Sequence, residues 1–330
     1  MSPKTILDEL GQRGLLTREQ QTAIADIEDE RPFSVHFELR SILYVGILLF
    51  AMGFGLLIYD NIDRISHSAV VITMSVLCAL CFAFAWYYRP PMSNRHVKSQ
   101  SPFGDYALIL GCLLFLTLEG YLQYQYNLFG ERYGLVTIIP AVLFLILAYR
   151  FDHRGVLSMA LVALISWIGV TIRPLNLYFK GNFFDLKITF SAIILSLVLI
   201  GAGMFLERQL IKRHFTFTYL TIAGNLLLLA LVAGVFNFDD LRIMFALGLA
   251  AACFLFDRYA RYNYARRGRS RREKAFLYAL MSSIYGYIGF TYLLFHYMEP
   301  NNYVGTLYFL LTGIGLVMYL LHYRRTLVTT

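Results

Sequence analysis

The sequence predicts an all-α, polytopic integral membrane bundle of about ten transmembrane helices, preceded by a short helical hairpin. Hydrophobic residues make up 58% of the 330 residues and charged residues only 15%, whereas soluble domains have about 45–50% and about 25%. Mean hydropathy is +0.57. After residue 40, the apolar residues come in runs of about 16 to 24, the length that a helix needs to cross roughly 30 Å of hydrocarbon.

Residues 1–40 precede the first apolar run and are predicted to form a cytoplasmic hairpin of two short helices. Thr17 and Gln20 have the spacing of a capping box, in which each side chain bonds to the backbone N–H of the other residue. A hairpin this small needs a surface on which to pack. We therefore expect it to contact the basic cytoplasmic loops or a protein partner.

Residues 41–330 are predicted to form one ten-span transmembrane domain, because each apolar run is closed by a charged or helix-breaking residue. The predicted spans are Ser41 to Tyr59, Ser68 to Tyr88, Tyr106 to Tyr126, Tyr133 to Tyr149, Gly155 to Ile172, Ile188 to Leu206, Phe215 to Phe236, Leu241 to Phe256, Ala275 to Met298 and Tyr303 to Tyr323.

Lysine and arginine predict the orientation of these spans. Of the 29 basic residues, 23 fall in the tail, the even-numbered loops and the C-terminal segment, and 6 fall in the odd-numbered loops. Because basic loops stay in the cytoplasm, both termini are predicted to be cytoplasmic. The net charge of +8 is therefore an orientation signal, and we expect the lipid bilayer as a partner and no nucleic acid.

The eighth loop is unusually rich in arginine. We interpret it as a topology anchor that contacts anionic lipid head groups, and a specific lipid or a cytoplasmic protein partner is the alternative. Its basic residues are Arg258, Arg261, Arg266, Arg267, Arg269, Arg271, Arg272 and Lys274.

The tail and the first span share a distinctive set of leucine, glycine and polar residues. These are Leu10, Gly14, Leu15, Leu16, Thr17, Glu19, Gln20, Gly46, Gly53, Gly55, Tyr59, Asp60, Asn61 and Asp63. On these residues, the sequence resembles a large, uncharacterised bacterial family of multi-span membrane proteins with a domain of unknown function. The resemblance covers about residues 1–65, and Ile62 stands where that family has an aromatic residue. It implies a multi-pass protein of the bacterial inner (cytoplasmic) membrane, and it supplies no catalytic residues.

Glu119 is the one carboxylate well inside an apolar run. An ionised group in a span costs at least about 2.5 kcal/mol on insertion scales, so we expect it to face the bundle interior. Gln123 follows at i+4 on the same helix face. One interpretation is a carboxylate that binds a proton or a solute. The alternative is that the third span ends near Leu118, which would leave Glu119 at the interface.

Two further polar residues are candidates for the same site. Asn225 lies in the middle of the seventh span beside Gly224, where its amide needs interhelical hydrogen bonds, and we favour a structural role. His296 lies near the outer end of the ninth span, and we favour interfacial packing over proton handling. Pro140 removes a backbone hydrogen bond in the fourth span and is a candidate for a kink.

No hydrolase triad, phosphate loop or spaced set of metal ligands occurs in the sequence. We predict no catalytic residue, no metal and no cofactor, and we leave enzymatic activity open while leaning against it. The leading hypothesis is a transporter-like protein that handles a small polar solute or lipid through an outward-opening polar cavity around Glu119. One alternative is a scaffold or assembly subunit that binds a partner through the hairpin and the arginine-rich loop. A weaker alternative is a lipid- or glycan-modifying enzyme at the outer face.

Overall fold

The computed structural model describes residues 17, 20, 36–60, 66–91, 93, 101–130, 132–172, 185–265, 269–298 and 302–329. These residues form ten α-helices and one 3-10 turn, Arg213–Phe215, and contain no strand. The helices are α1 His36–Asp60, α2 His67–Tyr87, α3 Pro102–Tyr126, α4 Leu135–Phe151, α5 Arg154–Ile172, α6 Leu186–Arg208, α7 Thr216–Asn237, α8 Arg242–Ala265, α9 Arg269–Met298 and α10 Asn302–Thr329.

The polytopic α-helical fold class is confirmed. Eight of the helices in the described part of the chain are long and apolar enough to cross a membrane. The other two have shorter apolar stretches, Ser41–Leu57 in α1 and Leu135–Phe151 for α4. A stretch of that length still falls at the lower limit of about 17 residues for a transmembrane helix, so ten spans remain the prediction.

The chain divides into two compact units, Met1–Arg64 and Ile65–Thr330. The first unit contains α1 and the predicted capping box. That box is confirmed, because the Gln20 N–H donates to Thr17 Oγ1 at 3.3 Å and the Thr17 N–H donates to Gln20 Oε1 at 3.1 Å. The rest of the predicted hairpin before His36 lies outside the described residues.

The second unit is built from antiparallel helix pairs: α2 with α3, α4 with α5, α6 with α7, and α8 with α9. Helix α7 also packs against α5, α8 and α9, and 67% of its apolar window is buried, against 6% for α10. Its Ala, Gly and Leu residues face neighbours on several sides. Helix α7 is therefore the centre of this unit, and it takes part in two cores, one shared with α2 to α6 and one shared with α8 and α9.

Contacts at one end of the second unit agree with this antiparallel pairing. Arg150 Nη1, in the last turn of α4, donates to the Pro90 carbonyl of the second loop at 3.0 Å. Tyr259 OH of α8 donates to Glu207 Oε2, in the last turn of α6, at 3.1 Å. We call this end, with the second, fourth, sixth and eighth loops, the basic end. The other end of the helices is the opposite end.

Candidate functional site

Glu119 lies on the buried face of α3. Leu108, Cys112 and Phe115 precede it at helical spacing and pack into the core shared with α2, α4 and α5. The helix continues past Glu119 to Tyr126, and the Glu119 residue is only 5% exposed. The carboxylate therefore faces the interior of the helix group.

The two carboxylate oxygens of Glu119 are buried and receive no hydrogen bond from any of the residues that the structure describes. Buried polar side-chain atoms are hydrogen-bonded in the large majority of cases, because losing water without a replacement is costly. Each unsatisfied group in a native structure calls for a physical reason, and a bound proton, ion or water is among the usual ones. Among the described residues of α2 to α5, Glu119 is the residue with buried side-chain oxygens that lack a hydrogen-bond partner.

Helix α4 contains Pro140 at a depth similar to that of Glu119. The Phe115 ring of α3 contacts the Phe144 ring of α4, with centroids 6.1 Å apart. Because the two helices are antiparallel, one turn along each brings Glu119 and the buried Pro140 to a similar level. Pro140 has no N–H, so the carbonyl of Val136 loses its helical donor. The proline predicted to interrupt the fourth span thus lies at a level similar to that of Glu119, inside a helix that continues through it.

Gln123 fastens the turn between α3 and α4. Its side-chain nitrogen donates to Asn127 Oδ1 at 3.0 Å and to the Gly130 carbonyl at 3.2 Å, and its Oε1 accepts from the Phe129 N–H at 2.9 Å. Asn127 ends α3 in the left-handed conformation, with φ of 47°, which asparagine adopts more readily than most residues. Gln123 therefore holds the loop in which α3 ends.

Asn225 joins α7 to α9. Its amide nitrogen donates to the Thr221 carbonyl at 2.8 Å and lies 3.6 Å from Met281 Sδ, and its Oδ1 accepts from Tyr285 OH at 3.2 Å. A Cβ on the neighbouring Gly224 would lie 2.7 Å from the Phe256 ring. The expected interhelical hydrogen bond and the expected close helix approach at Gly224 are thus both present.

His296 contacts Arg242 at the opposite end. Its Nε2 faces Arg242 Nη1, and its ring stacks on Tyr292 with centroids 5.9 Å apart. Arg242 is buried, and it also binds Asp239 and donates from Nε to the Val235 carbonyl at 3.1 Å. This arginine closes the C-terminal end of α7. In the sequence, Arg242 is recognisable only as the one basic residue beside the seventh loop, at the start of the eighth predicted span.

The four predicted site residues have different neighbours. Glu119 and Gln123 lie on α3, which packs against α2, α4 and α5, whereas Asn225 and His296 belong to the group of α7, α8 and α9. A cavity of about 260 Å³ opens at the opposite end between α4 and α5, and none of the four lines it. Its lining is Arg132, Tyr133, Gly134, Leu135, Trp167, Val170 and Thr171.

A buried charged cluster at the basic end was missed from the sequence. Lys212 Nζ and His214 Nε2 both lie 2.8 Å from Asp152 Oδ1. The Lys212 ammonium also lies 5.7 Å from the centre of the Phe215 ring. The sequence feature that could have indicated this cluster is Asp152, because an acidic residue in a very short loop between two spans needs a charged partner.

The arginine-rich loop is described only in part. Arg258 and Arg261 lie on α8 and are exposed. Arg266 and Arg267 lie outside the described residues, as do the side chains of Arg269, Arg271, Arg272 and Lys274. In the part of the chain that the structure covers, no group of three His, Cys, Asp or Glu residues is placed to hold a metal ion.

Comparisons with known proteins bear on the N-terminal part of the chain. Neither the curated proteins nor the solved structures include a match to this sequence. Residues 8–157 match the model of a family described as predicted membrane protein (DUF2157). The matched region contains Glu119 and Gln123 and ends within α5. The resemblance predicted from the tail is thus confirmed and reaches further than residue 65: residues 8–157 are similar to a family of predicted membrane proteins whose domain has no assigned function.

Proposed function

We propose that this multi-pass membrane protein is transporter-like, and that Glu119 binds the proton or small cationic solute that it handles. The observation that carries the proposal is the buried carboxylate of Glu119, whose two oxygens have no donor among the described residues. A carboxylate in an apolar interior is costly unless a positive charge or a proton compensates it. Binding a cation or a proton at Glu119 would remove that cost.

The negative charge of Glu119 favours a cationic occupant. Two carboxylate oxygens without a donor among the described residues suit a proton, a hydrated monovalent cation or an ammonium group. Pro140 removes one backbone donor from the neighbouring helix α4. We therefore narrow the expected small polar solute to a cationic one.

Access is proposed from the opposite end. The cavity between α4 and α5 reaches Leu135, and Pro140 lies five residues further along α4, or about 7.5 Å along the helix axis. Gly134 lines this cavity and packs closely on α5, because a Cβ at this position would lie 2.5 Å from Thr171 Oγ1. In this proposal Glu119 alone binds the solute. The other three predicted site residues, Gln123, Asn225 and His296, have structural roles through the contacts described above.

A carbodiimide experiment tests occupancy of Glu119 by a proton. Dicyclohexylcarbodiimide is apolar and modifies protonated carboxyl groups within membranes. In proteoliposomes we expect mass spectrometry to find the modification at Glu119, to lose it in Glu119→Gln, and to keep it in the control Asp240→Asn, which neutralises an exposed carboxylate. Protection by sodium, potassium or ammonium would identify a cation that competes with the proton. A wild-type Glu119 that reacts at no pH would contradict the proposal.

A flux experiment tests transport. Vesicles with an internal pH indicator receive an imposed pH gradient, with and without a sodium, potassium or ammonium gradient. We expect the wild type and Asp240→Asn to dissipate the gradient and Glu119→Gln to lose at least nine-tenths of that rate. Equal rates in wild type and Glu119→Gln would overturn the role of Glu119.

The scaffold hypothesis predicts a different result. A scaffold would retain a stoichiometric membrane partner in Glu119→Gln and would lose it when residues 1–35 are deleted. Affinity purification of the full-length chain and of both variants from the same membranes distinguishes the two. A complex that depends on residues 1–35, together with flux that is independent of Glu119, would favour the scaffold.

A further inference from the structure

A groove at the basic end of α8 combines charged and aromatic side chains. It has a volume of about 500 Å³ and is lined by Phe254, Asp257, Arg258, Arg261 and Tyr262. These positions follow one another at intervals of three, one, three and one, so they form a single stripe on the helix surface. The named lining residues all belong to the described part of α8, and they lie far along the chain from Glu119.

The two arginines of the groove are held in place by neighbours on their own helix. Arg261 Nε donates to Asp257 Oδ2 at 2.7 Å, and the Arg261 side chain is 65% exposed. The Arg258 guanidinium lies over the Phe254 ring, 5.8 Å from its centre. Two guanidinium groups against one carboxylate leave the groove with a net positive charge. Guanidinium forks are well suited to bind phosphate oxygens through paired hydrogen bonds.

The same helix face continues towards the bilayer centre with exposed apolar side chains. Phe254, Leu255 and Leu247 are all exposed large hydrophobic residues of α8. Tyr262 is exposed at the polar end of the stripe, where an amphipathic ring lies at the head-group level. The arginines could therefore contact a phospholipid head group, and the exposed apolar residues of the same helix could contact its acyl chains.

We propose that this groove binds an anionic phospholipid, with the head-group phosphate on Arg258 and Arg261 and the acyl chains along the exposed face of α8. Asp257 positions Arg261 and competes with the phosphate for it. The site is independent of the proposed function of Glu119. It gives the arginine-rich loop a defined lipid contact, beyond a general attraction to the membrane surface.

The test measures lipid binding by the full-length protein in detergent. Native mass spectrometry follows a titration with phosphatidylglycerol, with phosphatidylcholine as the zwitterionic reference and glycerol 1-phosphate as the free head group. We expect phosphatidylglycerol to bind at least tenfold more tightly than the other two. Because a basic residue near an anionic head group contributes about fivefold, Arg258→Gln with Arg261→Gln should weaken phosphatidylglycerol binding at least tenfold.

Two further variants keep the test decisive. Arg208→Gln removes an exposed arginine at the same end of the bundle and should change the affinity less than twofold. Asp257→Asn removes the competing carboxylate and should strengthen phosphatidylglycerol binding about fivefold, so the proposal stays testable even if the double arginine variant fails to fold. Unchanged affinity in both groove variants, or equal binding of phosphatidylcholine, would overturn the proposal. Equal binding of glycerol 1-phosphate would assign the groove to a soluble phosphate and overturn the lipid.

Discussion

Lys212 and Asp152 are sixty residues apart in sequence, yet Lys212 Nζ donates to Asp152 Oδ1 at 2.8 Å in the interior of the protein. The Asp152 side chain is only 3% exposed, and His214 Nε2 lies at 2.8 Å from the same oxygen. Asp152 follows α4 and Lys212 follows α6, and both have left-handed backbones, with φ of 58° and 41°. The contact therefore ties the α4 and α5 pair to the α6 and α7 pair at the basic end.

Replacing Asp152 should be strongly destabilising. In Asp152→Ala the ammonium of Lys212 and the ring of His214 lose the carboxylate that they share, and removing one partner of a buried ion pair costs about 3–5 kcal/mol. We expect a loss of that size in the free energy of unfolding, measured by denaturant titration in detergent micelles. Asp257→Asn, which breaks the exposed pair with Arg261, should cost about 1 kcal/mol or less. Equal losses in the two variants would contradict a structural role for the buried cluster.

Much of the fold could be predicted from the sequence, because hydropathy records where a helix is apolar. The second predicted span, Ser68 to Tyr88, corresponds to α2 His67–Tyr87. The ninth begins at Ala275 in the prediction, whereas α9 starts at Arg269. Hydropathy marks only the apolar part of a helix, so a turn of basic residues at its start is left out.

Partners from distant parts of the chain could not be predicted. Asn225 was recognisable as a polar residue that needs a hydrogen bond. That it accepts this bond from Tyr285 depends on how α7 and α9 pack, which the sequence does not show. Glu119 was recognisable by its place in an apolar run. Its unpaired oxygens depend on the rotation of α3 against α2, α4 and α5, about which hydropathy carries no information. The sequence also could not show that Glu119 and His296 lie in different helix groups, because hydropathy does not record which helices are neighbours.

The hydrogen bond between Tyr285 and Asn225 should contribute little stability. Interhelical hydrogen bonds in membrane proteins contribute about 0.6 kcal/mol on average and rarely more than about 1.7 kcal/mol. A double-mutant cycle with Tyr285→Phe and Asn225→Ala should therefore give a coupling energy of about 0.5–1.5 kcal/mol in detergent unfolding. Tyr287→Phe, whose hydroxyl bonds to Thr312 on α10, should show no coupling with Asn225→Ala. A coupling energy of zero for the first pair would mean that the contact stabilises nothing.

Gly234 of α7 allows the close approach of α8. A Cβ at this position would lie 2.4 Å from two atoms of the Phe245 ring, and Phe245 is fully buried and has little room to move. Gly234→Ala should lower the free energy of unfolding by about 1–3 kcal/mol, as overpacked cores do. The matched change Gly201→Ala, on α6, meets no atom within 4 Å and should be neutral or slightly stabilising. If the two variants melt at the same temperature, α7 and α8 are further apart at Gly234 than this packing requires.

The orientation of the bundle can be tested with exposed single cysteines at its two ends. Leu210 is exposed in the sixth loop at the basic end, and Tyr124 is exposed near the end of α3 at the opposite end. Because basic loops are retained in the cytoplasm, a membrane-impermeant maleimide should label Tyr124→Cys in right-side-out vesicles and label Leu210→Cys only after permeabilisation. The background replaces Cys78, Cys81, Cys112 and Cys253 with alanine. The reverse pattern would invert the predicted orientation, and labelling of both from one side would contradict the alternating helices.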